Sequence, residues 1–207
     1  MYRNKTISLF LGKLYIYSKP KFIIMKKTVF QFLLSFLLTG LLFSSCKKDV
    51  DDPNEEELIT TVKLRFTEVG GAGTVSTFTF KDLDGEGGAP PSIFQDIILA
   101  PSKVYTLVIS LSNESVSPAE DITAEIAAEA LDHQFYFVPT GVNVTVSNLN
   151  TDSRGLPLGL TSTWTTGGAS TGNMKITLKH KPGIKAAGDP VTKGDTDIDL
   201  TWVTKVQ

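Results

Sequence analysis

From Leu58 onward the chain alternates apolar and polar residues in short runs closed by glycine, proline or acidic turns, and this period of two restricts its fold more than any other feature. In LITTVKLRF, Leu58, Val62, Leu64 and Phe66 share one face while Lys63 and Arg65 take the other. A GGAG turn leads into STFTF, where Phe78 and Phe80 are in phase, so the two runs predict a hairpin. The theme continues through SIFQDIIL, KVYTLVISLS, QFYFV, GVNVTVSNL, GLTSTWTT, NMKITLKH and DIDLTWVTKV, and a second glycine-rich turn, TTGGASTG, joins two of these runs. A chain of eight or nine such strands buries its apolar faces by closing one sheet on another.

One segment breaks the period. SPAEDITAEIAAEALDH places Ser117 as N-cap, Pro118 at the first helical position and Glu120 three residues after the serine. Ile122, Ile126 and Ala130 recur every four residues beside an acidic row of Asp121, Glu125, Glu129 and finally His133, which predicts one amphipathic helix from Pro118 to about Asp132. The expected fold is therefore mainly β: an antiparallel, Ig-like β-sandwich of eight or nine strands over residues 58–207, with one inserted helix. The sequence has one cysteine, so packing and hydrogen bonding rather than disulfides must hold this domain.

Chemistry-bearing residues are few. Glu125, Glu129 and His133 are successive steps of four along the helix pattern, so Glu129 and His133 can both point at one divalent ion, with Glu125 the next acid along the row. His180 is in phase with Met174, Ile176 and Leu178 on the apolar face of its strand, with Lys175, Lys179 and Lys181 expected to point the other way. If His133 and His180 met, two imidazoles and a carboxylate would form a metal site. A second candidate is DLDGEGG, where Asp82, Asp84 and Glu86 alternate with glycines like a fragment of a calcium loop, but without the closing glutamate of an EF-hand. Tyr136, Trp164 and Trp202 fall within strands and would serve a carbohydrate-binding module only if exposed on a concave face. With two histidines, no nucleophile elbow, no phosphate loop and no dinucleotide fingerprint, no catalytic constellation forms, and the chain reads as a non-enzyme.

The N-terminal region has a different character. From Met25, MKKTVFQFLLSFLLTGLLFSSC has the basic start, apolar middle and small-residue end of a bacterial secretory signal over residues 25–45. Ser44 and Ser45 before Cys46 resemble a lipobox, which implies cleavage after Ser45 and acylation of the Cys46 thiol by diacylglycerol, with palmitate-type chains. Each buried methylene of such an anchor contributes about 0.8 kcal/mol. Residues 1–24 read as an upstream extension ahead of a start at Met25. Cys46 to Glu57, CKKDVDDPNEEE, reads as an acidic, flexible tether. Seven Lys and Arg precede Cys46, so 20 less 7 leaves 13 against 22 Asp and Glu, a net charge near −9 that disfavours nucleic acid as a partner.

The lipobox with its CKKD start, EEELITTV, FKDLDGEGG and the block NESVSPAEDITAEIAAEALDHQFYF together resemble a group of small Bacteroidetes outer-membrane lipoproteins. Members often carry the automatic label "type 1 periplasmic binding fold superfamily protein". That label implies two doubly wound α/β lobes, which a chain of many strands and one helix does not supply. The resemblance implies a lipid-anchored envelope protein, periplasmic or surface-facing, that serves a ligand or an outer-membrane transporter. Three expectations follow: a binding or accessory lipoprotein without a resident cofactor, a metal-capturing lipoprotein using His133, His180, Glu129 and Glu125, or a carbohydrate-binding module.

Overall fold

In the computed structural model, residues 57–71, 73–85 and 87–207 are described. The expectations for the signal segment, Ser45, Cys46, the tether to Glu56 and the loop residue Glu86 lie outside them. Within the described residues, no helix is long and apolar enough to cross a membrane.

The alternating runs become ten strands: β1 (Thr61–Glu68), β2 (Val75–Lys81), β3 (Ile93–Phe94), β4 (Ile97–Leu99), β5 (Val104–Ser112), β6 (His133–Thr140), β7 (Val144–Ser147), β8 (Thr161–Thr166), β9 (Ser170–His180) and β10 (Asp195–Val206). They form a six-stranded sheet in the order β3-β2-β1-β5-β8-β7 and a four-stranded sheet in the order β4-β10-β9-β6. The β-sandwich expected from the period of two is thus the fold. All pairs are antiparallel except β4 with β10, which run parallel. The predicted hairpin is β1–β2, in a register that sets Val62 opposite Phe80 and Leu64 opposite Phe78.

The expected eight or nine strands become ten because SIFQDIIL splits. Its first half pairs with β2 and its second with β10, so the chain changes sheets at Gln95 and Asp96. TTGGASTG likewise links β8 of one sheet to β9 of the other. Facing rows then meet in one core: Val62, Leu64, Phe66, Leu107 and Ile109 from the larger sheet, Met174, Ile176, Leu178 and Trp202 from the smaller. Each large apolar side chain buried this way contributes on the order of 1.5–3 kcal/mol.

The helix α1 spans Ile122–Ala128, shorter than the predicted Pro118–Asp132. Its N-cap is Asp121, whose side chain accepts from the Ala124 amide, and not Ser117. The residues ahead of it are otherwise engaged: Glu120 and Asn113 exchange both backbone hydrogen bonds as an isolated bridge, and the Asn113 amide donates to the Glu120 carboxylate at 2.7 Å. Ile122 and Ile126 are buried, as the four-residue spacing requires.

Candidate functional site

The two histidines meet. His133 is the first residue of β6 and His180 the last of β9, and the antiparallel register sets them directly opposite each other. Their rings stack with centroids 4.6 Å apart and planes 11° from parallel. Both are buried, as the phase of His180 with Ile176 and Leu178 predicts.

Local turns place them. After α1, the Asp132 amide donates to the Glu129 carbonyl, and the turn delivers His133 to the start of β6. The Lys181 amide then donates to the Asp132 carbonyl at 2.6 Å, and the Gly183 amide to the Asp132 carboxylate, which locks the end of β9 to that turn. On the other side of His180, Gly194 has φ +84, and a Cβ there would collide with the His180 carbonyl oxygen, so only glycine lets the chain return into β10 at this point.

Glu129, His133 and His180 each offer one ligand atom within 4.8 Å of the others. Glu129 reaches the pair from the turn after α1, with its carboxylate 4.0 Å from His133 Nδ1 and half exposed. Although His133 begins a strand rather than continuing the helix, the expected step of four survives through that turn. Glu125 stays on the exposed face of α1 and does not join the group, because the helix stops short of the turn that carries Glu129.

His133 has two edges. Nδ1 lies 3.1 Å from the Glu129 carbonyl oxygen, which only accepts, so Nδ1 carries the proton in this arrangement. Nε2 then presents its lone pair 3.7 Å from the Asp197 carboxylate, which is fully buried. Burial pushes the His133 pKa down to about 4, and the Glu129 carbonyl only partly opposes this. The ring is therefore neutral at neutral pH, the form a metal ion requires.

Asp197 was not legible as a site residue. In DTDIDL it alternates with Asp195 and Asp199 as though all three faced solvent, but the register of β10 on β9 slips between Thr196 and Ile198. Asp197 is the extra residue of this β-bulge, and the bulge re-aims its side chain inward. Run-length alternation carries no signal for such a slip.

The neighbouring lysines Lys179 and Lys181, expected to point away from the apolar face, are both buried all the same. Lys179 donates to the Thr196 hydroxyl, and Asp189 of the segment after β9 reaches back to Lys181. Lys181 donates to Gln134 Oε1 at 3.1 Å and to the Tyr136 hydroxyl, with its Nζ 4.7 Å from the Tyr136 ring centroid and Asp189 at 3.7 Å. Lys185 pairs with Asp152 at 3.0 Å, both side chains fully buried, and donates to the Ala130 carbonyl. Burial holds both lysine pKa values below the usual range.

The remaining candidates separate. Asp82 and Asp84 follow β2 in a turn where Asp84 accepts from the Ala89 amide at 2.8 Å and Gly85 and Gly87 have positive φ. Trp164 and Trp202 are fully buried in the core, so neither indole lines a carbohydrate platform. The Tyr136 hydroxyl donates to the Asp189 carbonyl at 2.8 Å, a structural role. No protein-family model, no curated protein and no solved structure matches this chain significantly.

Proposed function

We propose that the domain is a non-enzymatic, lipid-anchored envelope module that captures a divalent transition-metal ion through His133, His180 and Glu129. One observation carries this reading: two buried imidazoles stacked 4.6 Å apart with a carboxylate in reach of both. Two nitrogens and one oxygen suit Zn²⁺, Cu²⁺ or Ni²⁺ better than Mg²⁺ or Ca²⁺, which favour oxygen. Three protein ligands leave a coordination position open, and Glu129, half exposed, gives the ion a way in and out. Such a site is built for exchange rather than for permanent structural zinc.

When His133 binds through Nδ1, its proton moves to Nε2 and faces Asp197, the carboxylate-histidine pairing that raises ligand basicity in metal sites. The sequence supplies the rest of the reading. Cys46 would fix the module to the outer membrane, and the acidic tether would give it reach towards a transporter that accepts the ion.

Calorimetric titration of the Asp51–Gln207 unit with zinc and copper ions tests this. Sub-micromolar binding that is lost in a His133→Gln, His180→Gln variant with a preserved circular dichroism spectrum supports metal capture. Absence of binding to the wild-type unit returns both histidines to the core and leaves a partner-binding sandwich.

A further inference from the structure

The bulge at Asp197 also forms part of the wall of a cavity of about 680 Å³ at the same end of the sandwich. Its lining is of two kinds. Val62, Phe80 and Ile198, all buried core residues, give it an apolar floor, and Asp82, Asp197 and Asp199 give it acidic walls.

Asp82 is the informative residue. It is 8% exposed, and its Oδ1 is buried with no hydrogen-bond partner. A buried carboxylate oxygen without a donor costs free energy that a ligand of opposite charge would recover. The Asp82 side chain also bonds to that of Asp84, which leaves Oδ1 as the oxygen without a partner. The absence of a donor at this position therefore points to a cation.

The kind of cation follows from spacing and volume. Among the described residues, the acids and histidines whose ligand atoms converge within 4.8 Å are Glu129, His133 and His180, and the cavity's carboxylates form no such group. They are too dispersed for the inner shell of a bare ion. A volume of about 680 Å³ falls in the range of sites that enclose small organic molecules.

We infer that this cavity binds an organic cation, an ammonium group on an apolar chain, with the ammonium on Asp82 Oδ1 and the chain against Val62, Phe80 and Ile198. The class includes the side chain of a lysine in a partner peptide as well as free alkylamines. This inference does not rest on metal capture, since none of its contacts uses His133, His180 or Glu129.

The Asp51–Gln207 unit contains the whole core, so it is the protein to use. ¹H–¹⁵N spectra are recorded while n-hexylammonium chloride or 1-hexanol is added at neutral pH. The expected result is a saturable shift of the Asp82 and Ile198 amides with the amine, at least about tenfold weaker binding of the alcohol, and about a tenfold loss of amine affinity in Asp82→Asn. Equal affinity for amine and alcohol overturns the proposal, as does the absence of saturable shifts. Calcium chloride that reproduces the shifts and displaces the amine also overturns it, by making the site a metal site. If Asp82→Asn does not fold, the amine and alcohol comparison on the wild-type unit decides alone. The His133→Gln, His180→Gln variant should bind the amine as the wild type does, so failure of either reading is visible without the other.

Discussion

Two sets of buried polar side chains lie at the β6–β9 end of this sandwich, and they differ in how completely the protein satisfies them. Around Lys181 and Lys185, each charge is met from within: Lys181 by Gln134, Tyr136 and Asp189, Lys185 by Asp152 and the Ala130 carbonyl. Asp152 Oδ1 in turn accepts from the Arg154 and Leu156 amides, and its Oδ2, which has no hydrogen bond, is held between the charges of Lys185 at 3.0 Å and Arg154 at 3.6 Å. Around His133, by contrast, Nε2 has no hydrogen bond, and at Asp82 Oδ1 has none. A satisfied set stiffens the fold, whereas the bare Nε2 leaves His133 a place to move its proton when Nδ1 takes a metal, and the bare Oδ1 of Asp82 leaves a lone pair for a cation. The lysines are the fold's own, and the histidines and Asp82 are the candidates for a visitor.

The sharpest way to break this contrast is to remove one partner from the satisfied side. Lys185→Met leaves the buried Asp152 carboxylate only the longer, half-exposed Arg154 contact at 3.6 Å and should destabilise the domain by about 3 kcal/mol in urea unfolding. Replacing both, as Lys185→Met with Asp152→Leu, should recover most of that loss. A double variant as unstable as the single one would show that the pair matters for shape rather than charge.

The histidine side should respond to acid instead. His133 has a folded pKa near 4 against 6.5 for an unfolded histidine, so the unfolded state binds the proton first as pH falls. Its stabilising contribution is whole above pH 6.5 and is lost progressively down to about pH 4, about 3 kcal/mol in all. Unfolding curves at pH 7 and pH 4.5 on wild type and His133→Gln measure it, with the variant showing the flatter dependence. Zinc bound to the folded domain should give up His133 only as the pH approaches the folded value of about 4, because the proton and the metal compete for the same ring.

Glu129→Gln separates the site from the scaffold. Its side chain is half exposed, so stability should change by less than about 0.5 kcal/mol, while zinc affinity should fall about tenfold on loss of the carboxylate ligand. The smallest effect is expected at the rim, where Lys205 meets Asp96 at 2.6 Å with both side chains partly exposed. Lys205→Ala should cost no more than about 1 kcal/mol, measured as a shift in the urea midpoint.

The part of this that sequence made legible is the part set by a local period. Val62, Leu64 and Phe66 alternate with Lys63 and Arg65 and bury as they must, and His180 falls inward with Ile176 and Leu178 by the same rule. The meeting of His133 with His180 needed the register of two strands that lie forty-odd residues apart, which no local pattern encodes. Lys181 obeyed alternation in phase but not in exposure, because Gln134, Tyr136 and Asp189 gather around the ammonium it projects. Asp197 escaped altogether, since a one-residue bulge reverses the face of a side chain without leaving a mark on composition. The helix was recognisable by Ile122 and Ile126, and its start was misplaced because Glu120 bonds to Asn113 instead of opening the first turn.

The position of β10 has a further consequence for how such a chain comes into being. Its residues Asp195–Val206 lie between β4 and β9, inside the smaller sheet rather than at its edge, and Gln207 still bonds to Leu99. Without this strand, β4 has no neighbour and β9 has only β6, so the four-stranded sheet cannot assemble from its other members. Closing the smaller sheet therefore waits on pairings that bring Thr204–Val206 to Ile97–Leu99 across about a hundred residues of chain, a far longer loop closure than the β1–β2 hairpin needs.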